Sequence, residues 1–278
     1  MINTYTIYLS QWLKADYRSV YDALCNALNE SHTNHALLPY SQEIWCRDYM
    51  PVHIGAGKYV GFVFKPDYLC DKNKNLQFIT EQAKACSELD INFAVQIDIV
   101  LDGGNYVNCG SKMIMTDKII MENPNLRLID LINKLERTFQ KELILIPWDM
   151  DEPYGHADGM LAYIGNNQVI LNNYCQFDKQ TYIFAERIHK ILNRHFDIID
   201  LQYEGKLRKD SWCYLNYLET PKTIILPALS KQMDCDNDCS AKEVFQQIFP
   251  SKRILQIYTT PLVRNGGAVH CVTWEHYQ

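Results

Sequence analysis

The sequence predicts an α/β or α+β protein, because stretches typical of strands alternate with stretches typical of helices along the chain. About four helices of 12–18 residues are separated by groups of two or three short strands, which suggests repeated strand–helix units of about 50 residues. No long linker rich in Pro, Gly or Ser and no block of like charges divides the 278 residues. We therefore expect a single domain over residues 1–278.

The individual elements follow from hydrophobic periodicity, taken in chain order. Alternating or β-branched apolar residues predict strands in residues 1–10, 58–64, 93–101, 113–121, 143–146, 168–171, 212–218, 223–226, 253–259 and 268–273. Apolar residues at spacings of three and four predict helices in residues 15–29, 76–89, 125–140, 179–196 and 241–249.

Composition excludes several classes of partner. The chain is 47% hydrophobic and 22% charged, which is ordinary for a soluble globular protein. A net charge of −6 gives no basic footprint for nucleic acid. No apolar run reaches the ~18 residues that would cross a membrane, and the first residues lack the pattern of a signal peptide. We therefore expect a cytoplasmic protein with neither nucleic acid nor membrane as a partner.

Ten cysteines are unusual for a chain of this kind. Disulfide scaffolds are short and secreted, so we expect most of these thiols to be reduced and to pack as small hydrophobic groups. Six lie among apolar or helical residues and fit that expectation: Cys25, Cys70, Cys86, Cys109, Cys175 and Cys213. Cys235 and Cys239 form a single C-x₃-C pair, a weak zinc signal that we interpret as an acidic loop.

Five short segments combine ionisable groups with Gly, Pro or aromatic residues. They are IWCRDYMP (44–51), LDGGN (101–105), YGHADGM (154–160), SWCYLNY (211–217) and NGGAVHCVTW (265–274). In the last segment Gly266 and Gly267 permit close approach of backbone to a ligand, and the chain is predicted to run from there into a strand that carries Cys271. A thiolate at Cys271 and a proton carrier at His156 would form a nucleophile and its acid/base.

The carboxylates near these groups have ordinary alternative explanations. In an extended segment His156 and Asp158 would point to one side and address one bound group, but Asp158 could equally cap a turn. Asp48 could pair with the neighbouring Arg47. Asp102 precedes two glycines, as in many turns.

Together and in order, the five segments resemble the agmatine deiminase family and, more broadly, the guanidine-modifying enzymes that include bacterial-type peptidylarginine deiminases. Members carry W-x-R-D-x-x-P, acid-Gly-Gly, G-H-x-D and G-G-x-x-H-C segments. The resemblance implies the pentein α/β propeller, five strand–helix units with pseudo-fivefold symmetry. Asp48 and His156 are 108 residues apart and His156 and Cys271 are 115 apart, each close to two units of about 56 residues.

The resemblance also implies roles for site residues. Cys271 would be the nucleophile, His156 the general acid/base, and Asp48 and Asp158 the carboxylates that hold the guanidinium nitrogens. Four further residues would contact or orient the substrate: Trp45, Asp102, Asn216 and Gly267. Relatives often carry Glu where this chain has Asp102, so orientation of His156 and contact with substrate both remain open for it.

The implied reaction hydrolyses the guanidino group of a small cation such as agmatine through a covalent amidino-cysteine. It needs neither a metal nor an organic cofactor. Relatives often form dimers, so a homodimer is expected by analogy alone. Three alternatives remain at this point. In the first, the substrate is arginine or peptidylarginine, or the amidino group is transferred to an amine instead of water. In the second, a metal is held by Asp48, His156, Asp158 and Cys271, and in the third the protein binds guanidines without turnover.

Overall fold

The computed structural model describes residues 5–70, 73–89, 91–149, 154–172, 174, 179–203 and 209–277. Within these residues the strands form five three-stranded sheets. The strands are β1 (Tyr5–Leu9), β2 (Asn34–Leu37), β3 (Val52–Gly55), β4 (Lys58–Val63), β5 (Asn92–Val100), β6 (Val107–Cys109), β7 (Lys112–Thr116), β8 (Glu142–Ile146), β9 (Leu161–Gly165), β10 (Gln168–Asn172), β11 (Asp197–Leu201), β12 (Leu218–Glu219), β13 (Thr223–Ala228), β14 (Arg253–Tyr258) and β15 (Thr273–Tyr277).

Helices connect the strands. They are α1 (Gln11–Asp16), α2 (Arg18–Glu30), α3 (Cys46–Tyr49), α4 (Asp67–Cys70), α5 (Gln82–Ser87), α6 (Lys118–Glu122), α7 (Leu128–Phe139), α8 (Lys179–Leu192), α9 (Asp236–Ile248) and α10 (Thr260–Val263). No helix in the described part of the chain is long and apolar enough to cross a bilayer.

All five sheets share one topology. The central strand pairs antiparallel with one neighbour and parallel with the other, and a helical connection leads from the central strand to the parallel one. The central strands β4, β7, β10 and β13 begin at intervals of 54, 56 and 55 residues. The repeated strand–helix units predicted from the sequence are therefore confirmed. The remaining repeat is built from both ends of the chain, because β1 pairs with β15.

The chain divides into two compact units. The first comprises residues 1–104, 119–140 and 270–278, and the second comprises residues 105–118 and 141–269. The first unit contains the sheets β15-β1-β2 and β3-β4-β5, and the second contains the other three. The single domain expected from the sequence stays a prediction.

Burial patterns explain why these segments form these elements. Helix α2 buries Val20, Leu24, Ala27 and Leu28, which lie on one face at helical spacing as the sequence predicts. Strand β13 is buried at every residue, and its sequence is accordingly a mainly apolar run. Fully burying one such large aliphatic side chain contributes about 1.5–3 kcal/mol.

Several predicted elements differ from the structure. The helix expected over residues 76–89 is instead a 3₁₀ turn, Asn73–Phe78, followed by α5. The buried Thr80 interrupts it, because its hydroxyl accepts a hydrogen bond from the Gln42 N–H. The strand expected over residues 113–121 ends at Thr116 and α6 follows. The chain turns at Asp117, because its N–H donates to the Ile146 carbonyl and its carboxylate accepts the Trp148 N–H.

Two further predictions fail near the end of the chain. Residues 212–218 were expected to form a strand but belong mainly to a 3₁₀ turn, Lys209–Leu215. Its apolar residues are buried, and an apolar run without a clear period fits either structure. The segment around Cys235 and Cys239 is the start of α9, with Cys235 at the N-cap, rather than a loop.

The described cysteines are all free, as expected, and Cys175 lies outside the described residues. Burial raises the pKa of the Cys46, Cys86 and Cys109 thiols to about 12, so these three are protonated at neutral pH. They act as small packing groups. Cys239, by contrast, is exposed.

Candidate active site

The five segments predicted to carry chemistry occupy equivalent positions in the five repeats. Each lies directly before the outer strand that pairs antiparallel with the central strand of its sheet, namely β3, β6, β9, β12 and β15, and the last of them extends into β15. The eight residues predicted for the site divide between the two units. Trp45, Asp48, Asp102 and Cys271 belong to the first, and His156, Asp158, Asn216 and Gly267 to the second.

In the first unit, the single-turn helix α3 carries Asp48. Trp45 is the partly exposed residue that precedes α3, and its carbonyl accepts the Asp48 N–H at 3.1 Å. The Asp48 side chain is 4% exposed, and its Oδ1 accepts a hydrogen bond from the Gly104 N–H at 3.0 Å. A backbone donor on one carboxylate oxygen fixes the orientation of the whole carboxylate.

Gly103 allows the Gly104 N–H to reach the Asp48 carboxylate. It begins the 3₁₀ turn Gly103–Asn105, directly after the fully buried Asp102. A Cβ atom added at Gly103 would overlap the carbonyl oxygen of Arg47, so only glycine lets the turn approach α3 this closely. The Asp-Gly-Gly motif therefore forms the turn and also holds the Asp48 carboxylate in place.

Cys271 lies in a turn, whereas the sequence predicted a strand over residues 268–273. The turn closes because the His270 carbonyl accepts both the N–H and the hydroxyl of Thr273, at 3.1 Å and 3.0 Å, and β15 starts only there. Cys271 is 6% exposed, and its carbonyl accepts the Arg47 N–H at 3.1 Å. The structure thus joins the Asp48 segment to the backbone of the cysteine.

In the second unit, His156 and Asp158 do not share an extended segment, so the argument that alternation points them to one side is wrong. His156 has extended backbone angles, but Asp158 lies inside a 3₁₀ turn, Ala157–Gly159. Both side chains are 5% exposed. The turn is held by Asn172, whose side-chain N–H donates to the Gly159 carbonyl at 2.9 Å.

Tyr154, for which the sequence predicts no role, links this segment to the glycine loop. The Tyr154 hydroxyl donates to the Asn265 carbonyl at 2.9 Å, and its ring centroid lies 5.9 Å from that of His156. Gly266 has a φ of +87°, and a Cβ atom there would overlap the Tyr154 ring. The only signal in the sequence was the position of Tyr154 directly before Gly155-His156.

Asn216 fixes the same loop from another direction. It is fully buried, and its Oδ1 accepts the Ala268 N–H at 3.0 Å. Gly267, directly before Ala268, is buried as well. A buried amide that accepts a backbone N–H holds the loop in one conformation. Asn216 therefore shapes the chain leading to Cys271.

A second residue that the sequence did not reveal is Glu275 in β15. Its carboxylate lies 2.7 Å from the Arg47 guanidinium. Nothing in the local sequence distinguishes this glutamate from a solvated strand residue. Among the described residues, no group of three or more His, Cys, Asp and Glu side chains is arranged to hold a metal ion.

Five repeats of one sheet topology, each with a polar segment before its antiparallel outer strand, define this chain as a protein of the pentein α/β fold. The chain belongs to the Porphyromonas-type peptidyl-arginine deiminase family, whose model matches residues 14–276.

Solved structures have the same fold. A cysteine-to-serine variant of the C. jejuni agmatine deiminase with substrate bound matches with a TM-score of 0.74 at 16% identity, over 99% of this chain and 93% of that one. The agmatine deiminase of Enterococcus faecalis matches with a TM-score of 0.74 at 17% identity, over the same shares of the two chains. At such identities the likeness shows the fold.

Sequence relatives point to the same family. The agmatine deiminase of Pseudomonas aeruginosa is 24% identical over 219 residues, 64% of this chain and 57% of that protein. A relative from Lactococcus lactis is 27% identical over 216 residues. The chain spans 57–58% of the length of the first curated relatives that it matches.

Proposed function

We propose that this protein hydrolyses the guanidino group of agmatine or a related small guanidino cation, releasing ammonia and a ureido product. With agmatine the product would be N-carbamoylputrescine. The observation that carries the proposal is the equivalent position of the five polar segments in the five repeats of a deiminase-family fold. One of these segments supplies the candidate nucleophile Cys271, one a histidine with an aspartate, and two a further aspartate each.

The physical problem is the stability of the substrate. A guanidinium is a planar cation with five N–H donors, and resonance makes its central carbon a poor electrophile. In the proposed reaction Asp48 and Asp158 accept hydrogen bonds from its nitrogens, which offsets the loss of hydration and fixes the plane. The Gly104 N–H on Asp48 supports this role, since it holds one carboxylate oxygen in place.

The first half of the proposed reaction forms the covalent intermediate. The Cys271 thiolate adds to the central carbon, and a C–S bond forms as the C=N bond becomes single. His156 gives its proton to one terminal nitrogen. The bond between that nitrogen and carbon breaks, ammonia leaves, and a cationic amidino-cysteine remains.

The second half returns the enzyme to its starting state. His156 takes a proton from water as the oxygen adds to the same carbon, and the C–S bond then breaks to regenerate the thiolate. The products are a neutral ureido compound and, after proton transfer to ammonia, an ammonium ion. Trp45 would pack on the aliphatic part of the substrate, Asp102 would orient His156 or contact the substrate, and Asn216 and Gly267 would form the loop beside it.

The test is a colorimetric ureido assay with agmatine, arginine and arginine peptides as substrates. Wild-type protein should form a ureido product from at least one of them, and Cys271→Ala should form none while keeping its fold by circular dichroism. Cys86→Ala is the matched control, because that thiol is buried in α5 and protonated at neutral pH. A Cys271→Ala variant that retains activity would contradict the covalent mechanism. Activity should also persist in excess EDTA.

A second substrate class is peptidylarginine, which the description of the matching family favours. The same assay separates the two. Agmatine has a free amine at the far end of its chain, whereas a peptide has backbone on both sides of the arginine. A higher kcat/KM for arginine peptides than for agmatine would assign the peptide substrate. The expected cytoplasmic location and the homodimer stay predictions.

A further inference from the structure

A set of contacts joins the segment around Asp48 to the segment that follows Cys271; we call it the α3–β15 seam. The Arg47 N–H donates to the Cys271 carbonyl at 3.1 Å, and the Cys46 thiol donates to the Val272 carbonyl at 3.4 Å. The Trp274 indole N–H donates to the Pro51 carbonyl at 2.9 Å. An ion pair between Arg47 and Glu275, with nitrogen and oxygen 2.7 Å apart, completes the seam.

We propose that Arg47 and Glu275 are positioning residues that fix the Asp48 carboxylate for the reaction at Cys271. This inference rests on the proposed function, because it assigns how one of the substrate-binding carboxylates is held. Arg47 and Glu275 would not touch the substrate themselves.

The first argument is the weakness of α3 as a helix. It has only four residues, and a single turn has little stability of its own because nucleation costs more than one turn regains. Its direction is therefore set by its tertiary contacts. Asp48 is the residue directly after Arg47, so a rotation of this turn about its axis moves the Asp48 carboxylate away from the Gly104 N–H.

The second argument is the burial and the charge of the ion pair. The side chains of Arg47 and Glu275 are only 15% and 17% exposed, so solvent screens their attraction less than at the surface. Burial opposes ionisation of Glu275, but the Arg47 guanidinium, followed by His270, holds the pKa of its carboxyl below the usual value. The carboxylate is therefore charged at neutral pH, and its attraction to the guanidinium keeps the Arg47 side chain beside β15.

The third argument is that the seam and the Gly103 turn hold α3 by different atoms. The Arg47 side chain contacts Glu275, its N–H contacts Cys271, and its carbonyl lies against Gly103. Arg47 therefore contacts both the backbone of Cys271 and the turn whose N–H hydrogen-bonds Asp48. Loss of the ion pair removes the one contact of this set made by the Arg47 side chain.

The experiment replaces both partners by apolar groups of similar length, Arg47→Met with Glu275→Met. Removing only one partner would leave a buried unpaired charge and could unfold the protein, whereas apolar replacement of both is often neutral for stability. We expect the double variant to melt close to the wild type, with kcat for ureido formation about 10- to 100-fold lower, as for a misplacement of about 1 Å. Arg47→Lys, which keeps the charge but not the planar geometry, should show a smaller loss.

The rate of Cys271 alkylation is a second measurement, and it distinguishes misplacement of Asp48 from damage to the nucleophile. Alkylation of Cys271 by iodoacetamide without substrate should proceed in the double variant within about threefold of the wild-type rate, because the Arg47 N–H to Cys271 contact is a backbone bond that persists. A parallel fall of alkylation and turnover would overturn the assignment. The control is His189→Gln with Asp200→Asn, which removes another partly buried pair, joining α8 to β11, and should leave kcat unchanged.

The outcomes distinguish this inference from the proposed function. A wild-type protein without activity on any guanidino compound would overturn the proposed function and this inference with it. An active wild type whose folded double variant keeps full kcat would overturn the inference alone, because the ion pair would then only stabilise the fold.

Discussion

The Asp48 segment of the first unit and the His156 segment of the second occupy the same place in their repeats but are held by different means. Near Asp48, Gly103 lies against a backbone carbonyl, that of Arg47. Near His156, Gly155 lies against side chains: a Cβ atom would be 2.6 Å from Cδ of Lys118 and 2.9 Å from the Trp148 ring. Gly155 also has a φ of +68°, which Gly103 does not share.

This difference indicates how each segment should respond to change. Backbone cannot yield without moving the turn that it belongs to, whereas a side chain can adopt another rotamer. The Asp48 segment also depends on a partly buried ion pair, whereas Tyr154 holds the His156 segment through a neutral hydroxyl and ring packing. We therefore expect the first segment to be the more sensitive to small substitutions and to pH.

The largest effect is expected for Gly103→Ala. The added methyl group would displace the turn from α3, break the Gly104 to Asp48 hydrogen bond, and lower kcat/KM about 100-fold. The free energy of unfolding should fall by about 1–3 kcal/mol, as for an overpacked site. Gly159→Ala is the control in the other segment, because a Cβ atom there has open space and should change neither quantity much. Equal losses in both variants would remove the distinction between the segments.

A smaller effect is expected for Gly266→Ala. Its left-handed backbone should cost about 1–2 kcal/mol of unfolding free energy, and the methyl group would also push the Tyr154 ring aside. In a Tyr154→Ala background the clash with the ring disappears and only the backbone cost remains. Urea unfolding of the wild type, the two single variants and the double variant measures the backbone cost and the clash separately. A cost for Gly266→Ala that is the same in both backgrounds would show that the ring yields freely.

The ion pair should make the first segment sensitive to acid. The folded-state pKa of Glu275 lies below its ordinary value, so its contribution to stability is present above that ordinary value and is lost as the pH falls through the folded-state pKa. The difference in unfolding free energy between wild type and Glu275→Gln should therefore shrink between pH 6 and pH 3. The corresponding difference for Tyr154→Phe should stay constant, because that substitution removes a hydroxyl group and no carboxyl group.

The smallest effect is expected for Tyr154→Phe at neutral pH. This variant keeps the ring over Gly266 and loses the hydrogen bond to the Asn265 carbonyl, worth about 0.5–1.5 kcal/mol. Turnover should change by less than about threefold. A loss as large as that of Gly103→Ala would mean that the hydroxyl acts on the substrate, and kcat measured across pH would then show an additional ionisation.

Much of the fold was predictable because the repeats obey simple periodicity. Strands β4, β5, β10 and β14 and helix α7 fall where alternation or helical spacing places them. The failures share a cause. Residues 113–121 and 212–218 are apolar without a clear period, and the turn at Asp117 depends on hydrogen bonds to residues about 30 positions later. Local patterns contain no information on partners so distant in the chain.

The candidate site divides in the same way. Residue types in order, Cys271 with His156 and three aspartates, were sufficient for a family resemblance and a chemical hypothesis. The same residues gave a wrong geometry for Asp158, which lies in a 3₁₀ turn, and for Cys271, which lies before its strand. The energy of one turn depends on what packs against it, so short connections are the least predictable elements.

The sequence by itself therefore determined the α/β class and the approximate length of the repeat, and it supplied the candidate reactive groups, because periodicity and side-chain chemistry are local properties. Only the tertiary structure decided that Gly103 must be a glycine, that Arg47 pairs with Glu275, and that Tyr154 lies over Gly266. These contacts join residues 56, 228 and 112 positions apart. Their geometry arises only when the packing of whole strands and helices brings distant backbone together.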